Sequence, residues 1–195
     1  MRKRLLLSVA LLFASAATMF AGEYAGQLFD IGSKATAIEV GKWYFLYNNS
    51  TKHYAFEGDD NLVHQGSTPR TLDADTHLGY MFRFEPDSEH EGKYFVQTGL
   101  GRYLPNFGSK AKATITQGYP MTVSEISGGD GNFSIKGNMY YLYAPSSGDD
   151  VYGTSTVKLG NGSDWSFYEV EFTSLSDLKG QDLYKYKMQQ SLIRL

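Results

Sequence analysis

The chain has no cysteine in 195 residues. That absence excludes a disulfide framework, a thiol nucleophile and a lipid-bearing cysteine behind a leader. Such a domain relies on its core alone. A basic run is also missing. The formal net charge is −3 and becomes −6 without Arg2, Lys3 and Arg4, which makes nucleic acid and anionic membranes poor partners. The apolar run Leu5–Phe13 is too short to stay across a bilayer, so no membrane span is expected. It follows Met1-Arg2-Lys3-Arg4 and precedes Ala14, Ser15, Ala16, Ala17 and Ala21, the pattern of a secretory signal peptide. Cleavage after Ala16 or after Ala21 fits. We assign residues 1–21 to this leader and expect export to the periplasm, the cell surface or the medium.

What is abundant is aromatic. Fifteen Tyr, twelve Phe and two Trp make up 15% of the residues, and Tyr can sit half in a core with its hydroxyl in water. Glycine is also frequent, as tight turns require. After a leader segment at 22–40, three stretches repeat one theme: GKWYFLYNNSTKHYAFE from Gly41, GKYFVQTGLGRYLPN from Gly92 and GNFSIKGNMYYLYAP from Gly131. Each reads as two short apolar runs around a turn, and no helix-period run interrupts residues 41–173.

The spacing predicts four strands per unit. Unit one carries Trp43–Tyr47, His53–Glu57, Leu62–Gln65 and Tyr80–Glu85, with an extra loop at Ser67–His77. Unit two carries Lys93–Thr98, Arg102–Leu104, Ala113–Gln117 and Met121–Ile126. Unit three carries Asn132–Lys136, Met139–Ala144, Val151–Thr154 or Thr156–Leu159, and Ser166–Phe172. The closing strands alternate with period two, which predicts one buried and one wet face. Three such units over residues 41–173 point to an all-β fold, a β-trefoil with pseudo-threefold symmetry, in which six strands close a barrel and three hairpins cap it. Beyond it, residues 174–195 form a tail. Tyr184, Met188, Leu192 and Leu195 fall on one helical face, so a short C-terminal helix is expected over Asp182–Leu195. It either packs on the domain or meets a protein partner.

Unit three, YYLYAPSSGDDVYGTSTVKLGNGSDWSFYEV, resembles the repeats of ricin-type β-trefoil lectins, with Trp165-Ser166-Phe167 as the aromatic close. The chain is also similar to exported proteins of gut Gram-negative bacteria. The lectin resemblance implies a carbohydrate-binding module. It also implies an Asp after the second strand's apolar residue and a Gln two places before the closing Trp. Those positions here hold Phe56, Pro105 or Tyr143, and Ser163. The usual galactose-binding polar set is therefore missing.

Another polar set offers itself. Gly58-Asp59-Asp60 and Gly148-Asp149-Asp150 match between units one and three, where unit two has Gly108-Ser109-Lys110. Carboxylate oxygens accept sugar hydroxyls while a ring face covers sugar C–H groups. His64 and Tyr152 are the nearest rings. The candidate carbohydrate-binding residues are thus Asp59, Asp60 and His64 in unit one and Asp149, Asp150 and Tyr152 in unit three; against them, Gly-Asp-Asp is ordinary turn chemistry. Trp43 and Trp165 read as core residues, and Tyr140, Tyr141 and Tyr143 crowd one strand so that a face of it is exposed or at an interface. The four histidines show no metal spacing. Glu169 and Glu171 share a strand face as glycosidase carboxylates can, or as solvated charge does. No Gly-x-Ser-x-Gly or phosphate loop is present, and neither an enzymatic role nor a cofactor is expected. The expectation is an exported, non-catalytic module for a glycan or polysaccharide. The alternative is a protein-interaction or structural module of the periplasm or cell surface, acting through the tail.

Overall fold

A computed structural model describes residues 27–67, 72–73, 78–104, 107, 111 and 118–174. The expected signal peptide, the expected strand at Ala113–Gln117 and the expected tail helix lie outside the described residues. The leader contributes β1 (Gln27–Lys34). Unit one contributes β2 (Trp43–Asn48), β3 (Tyr54–Glu57), β4 (Val63–Gly66), the short β5 (Leu72–Asp73) and, after a 3-10 turn at Leu78–Tyr80, β6 (Met81–Pro86). Unit two contributes β7 (Lys93–Thr98), β8 (Tyr103–Leu104) and β9 (Met121–Glu125). Unit three contributes β10 (Asn132–Lys136), β11 (Tyr141–Tyr143), β12 (Tyr152–Thr154) and β13 (Trp165–Ser174).

Two strands from each unit close a ring. β2 pairs β6, β6 pairs β7, β7 pairs β9, β9 pairs β10, β10 pairs β13, and β13 returns to β2, all antiparallel. Closure leaves these six strands without a free edge. The hairpins β3–β4 and β11–β12 fold over one end. There the units meet in a triangle of backbone bonds. Val63 N–H donates to the Ala111 carbonyl (2.8 Å), Ala111 N–H to Val151 (2.8 Å), and Val151 N–H to Val63 (2.9 Å). One residue from each unit thus marks the pseudo-threefold axis of a β-trefoil.

The same apolar pattern builds each third of the core. Every unit opens with an inward pair two residues apart: Tyr44 and Leu46, Tyr94 and Val96, Phe133 and Ile135. Hairpin residues Ala55, Leu104 and Leu142 form the next layer. Phe167 stacks on Phe133 at 4.7 Å and on Phe84 at 5.1 Å, tying β13 to β10 and β6. Gly92 and Gly131 turn the chain into β7 and β10 with φ of 75° and 61°, values that favour glycine.

The barrel's outer face departs from the expected alternation. Between β13 and β2 it is not wet. Trp43, Phe45 and Tyr54 are buried there in a second core, with Tyr47, Tyr168 and Val170 at its edge. The cause is β1, which runs along β13 from Gln27 opposite Ser174 to Lys34 opposite Tyr168, and lays Phe29 and Ile31 over the aromatic rings. β13 is ten residues long, so its first half serves β2 and its second half β1. Much of the aromatic surplus is consumed here.

Crowding in this second core has a measurable consequence. Burial pushes the Tyr54 hydroxyl up to about 12, with the neighbouring Tyr168 and Tyr47 adding to the shift. Burial also raises Tyr44 and Tyr80. A folded-state value above the unfolded one stabilises the fold below pH ~10. That contribution disappears as pH rises from ~10 towards 12. Phenolate absorbance at 295 nm, followed beside far-UV circular dichroism, will show some tyrosines ionising only with unfolding. Tyr54→Phe will flatten the alkaline loss. An unchanged alkaline midpoint in that variant would contradict the assignment.

Units one and two share an ion pair that is buried at its acidic end. Glu57, at the end of β3, has a fully buried side chain and pairs with Arg102 Nη1. Thr98 Oγ1 donates to its other oxygen at 2.5 Å.

Candidate functional site

The turn between β3 and β4 is made by its own sequence. Gly58 N–H donates to the Leu62 carbonyl (2.9 Å), and Asn61 N–H donates back to Gly58 (3.0 Å). Asn61 takes φ of 62°, a left-handed turn conformation that Asn tolerates. Asp60 Oδ1 accepts the Leu62 N–H at 3.0 Å. So far this is turn chemistry. The same oxygen also lies 3.0 Å from His64 Nε2. The His64 contact, and then the Leu62 N–H, hold the Asp60 carboxyl below the usual carboxylate range.

The second Gly-Asp-Asp triplet does not build an equivalent site of its own in unit three. Gly148 adopts φ of 86° and the chain swings across to β4 of unit one. Gln65 N–H donates to the Asp149 carbonyl at 2.7 Å, and Gln65 Nε2 donates to the Pro145 and Gly148 carbonyls at 2.7 and 2.8 Å. Asp150 Oδ1 then reaches His64 Nδ1 at 3.2 Å. His64 is thus held between one aspartate from unit one and one from unit three, and both triplets converge on one place. Matching Val63 with Val151 at the axis shows the two triplets offset by two residues.

What they converge on is an open cleft of about 700 Å³. His53, Phe56, Asp59, Asp60, His64, Gln65, Tyr80 and Asp149 line it. Phe56 stacks on Tyr80 with centroids 4.8 Å apart and planes at 25°. The His64 ring lies 5.6 Å from Phe56 at 37°. The result is an aromatic shelf edged by carboxylates. Such a surface can cover the apolar face of a ring and accept hydrogens from its hydroxyls.

Four of the six sequence-predicted residues, Asp59, Asp60, Asp149 and Asp150, gather around a fifth, His64. Tyr152 lies apart on β12, its ring 5.1 Å from Tyr143, and does not line the cleft. By the axis correspondence, Tyr143 and Tyr152 occupy in unit three the places of Phe56 and His64. Phe56 and Tyr80 were not predicted. Phe56 had a signal, since it stands where the resembled lectins place their aspartate. Tyr80 had none, being brought to Phe56 by the 3-10 turn. Trp43 and Trp165 are core residues, 4% and 0% exposed. Leu142 points inward while Tyr141 and Tyr143, on either side of it, are half-buried on the outer face. Glu169 is bound by Lys42 at 3.0 Å, and Glu171 is exposed. Among the described residues no cluster could hold a metal ion, and no helix is long and apolar enough to cross a membrane.

The closed six-strand ring and the axial triangle define a β-trefoil, and solved structures agree. No protein-family model matches the chain, and no curated protein sequence matches it. Among solved structures it is similar to a ricin B-like lectin of Macrolepiota procera in complex with lactose (TM-score 0.55, 14% identity, 68% of this chain and 98% of that one). It is similar to the β-trefoil of a protein named BEL (0.55, 15% identity, 70% and 99%). A further similar structure is an endo-β-galactosidase from Clostridium perfringens that releases GlcNAcα1-4Gal (0.54, 12% identity, 67% of this chain but 33% of that one). At these identities the likeness concerns the fold.

Proposed function

We propose that this protein is a carbohydrate-binding module that acts without catalysis, after export, at the cleft formed by Phe56, Tyr80 and His64. The observation that carries this is the convergence of both Gly-Asp-Asp triplets on one aromatic shelf. A stacked ring pair covers sugar C–H surface, and Asp59, Asp60 and Asp149 stand at its rim to accept hydroxyls. The reading is supported by the likeness of the fold to a ricin B-like lectin solved in complex with lactose. The positively charged start and apolar run of residues 1–13 support export. The ligand differs in its contacts from the galactose bound by ricin-type repeats, because an aromatic residue replaces the aspartate.

Screening the folded protein against a broad glycan panel tests this. A hit should weaken about tenfold in Phe56→Ala, the scale of ~1.4 kcal/mol expected from one ring contact. Asp59→Asn should weaken it too. Binding that ignores both variants would place the site elsewhere. A panel without hits would overturn the proposal and favour the protein-interaction alternative, testable by pull-down with residues 174–195.

A further inference from the structure

The pseudo-threefold fold has three equivalent walls, each an antiparallel junction between consecutive units. On the β6–β7 wall, side chains fill the outer surface. Arg83 Nη2 donates to Glu85 Oε1 (2.9 Å) and Gln97 Oε1 (2.6 Å), Tyr103 OH donates to Glu85 Oε2 (3.1 Å), and the guanidinium covers Trp43 at 4.8 Å. On the β13–β2 wall, β1 does the filling. The third wall, β9–β10, is left open as a groove of about 400 Å³.

Its floor is made of short hydroxyl side chains. Ser134 stands opposite Ser124 and Lys136 opposite Thr122. Met121, Phe133 and Ile135 between them point into the core. Lys136 Nζ sits 5.4 Å from the centre of the Tyr141 ring, so ammonium and ring face form one end. Glu125, whose Oε1 accepts the Gly131 N–H at 3.2 Å, stands at the other. Val157 and Leu159, 38% and 40% exposed, form the rim. Leu159 reaches into the space that a side chain on Gly129 would fill.

We infer that this groove is a second binding site, for a sugar bearing a carboxylate. The ammonium meets the carboxylate in a charge-assisted bond. The Tyr141 ring covers an apolar sugar face, Ser124 and Thr122 exchange hydrogen bonds with hydroxyls, and Glu125 accepts hydroxyl hydrogens at the opposite end. A cation at one end and a carboxylate at the other orient the ligand. The volume lies within the range of roughly 300–1,000 Å³ seen for small-molecule sites. The site is independent of the Phe56 cleft, and its occupancy does not depend on that cleft binding anything.

Calorimetric titration of the full chain with methyl glucuronide, methyl glucoside and a glutamate-rich peptide tests it. The glucuronide should bind, and its affinity should fall as salt is raised. Lys136→Gln should weaken it at least tenfold, and Ser124→Leu, which fills the floor, should abolish it. Phe56→Ala should leave it unchanged, and Lys136→Gln should leave any neutral glycan at the Phe56 cleft unchanged. Four outcomes would overturn the assignment: no binding, equal binding of the glucoside, indifference to Lys136→Gln, or tighter binding of the peptide.

Discussion

Replacing Arg102 by alanine will cost the fold about 3–5 kcal/mol, the range for stripping a buried charge of its partner. Glu57 has no exposed side-chain surface. Without the guanidinium its carboxylate keeps, among the described residues, the Thr98 hydroxyl. Against a total stability of roughly 5–15 kcal/mol, that is a large share. The cost lies in the orphaned charge, so Glu57→Gln in the same chain should restore most of the loss. The amide still accepts from Thr98 and needs no counter-ion. Urea unfolding of the single and double variants decides this. An Arg102→Ala protein within 1 kcal/mol of the parent would mean that water reaches Glu57.

The second large effect is expected at Trp165. Its side chain is fully buried where β13 meets both β10 and β2, and its indole N–H donates to the Leu142 carbonyl at 3.0 Å. Trp165→Ala removes an aromatic volume from the joint of three strands and takes the indole donor from that carbonyl. Large-to-small changes of this kind cost about 3–5 kcal/mol. Trp165→Phe keeps most of the volume and should cost less than half as much. Equal losses in the two would show that the hydrogen bond, rather than the packing, dominates.

The barrel was legible because its inner layer is written locally. Tyr44 and Leu46, Tyr94 and Val96, and Phe133 and Ile135 repeat one period-two pair at the start of each unit, and glycine precedes each pair. The outer core was not legible. Trp43, Phe45 and Tyr47 look like a half-wet strand face until β1 is placed over them, and nothing in residues 27–34 names β13 as its partner. The site was half legible for the same reason. The aspartates stood out as repeated triplets, but equivalence suggested two sites. Asp150 reaches His64 across units, through the hydrogen bonds of Gln65 with Asp149 and of Val151 with Val63. The Phe56–Tyr80 stack and the Glu57–Arg102 pair also join residues far apart in the chain, where spacing carries no signal.

The pairing of β1 with β13 bears on how the chain reaches its native state. Gln27 meets Ser174, and Trp43 and Phe45 wait under β1 for the same closing strand. Before β13 is synthesised, β1 therefore has only its two-residue pairing with β5, and its longer pairing waits for the last of the described strands. Contacts of such sequence separation slow folding, because loop entropy is lost before they form. A ribosome-bound chain short of β13 would hold an open barrel and a bare aromatic sheet, a surface for chaperones to cover. The fold is thus a clasp that β13 closes.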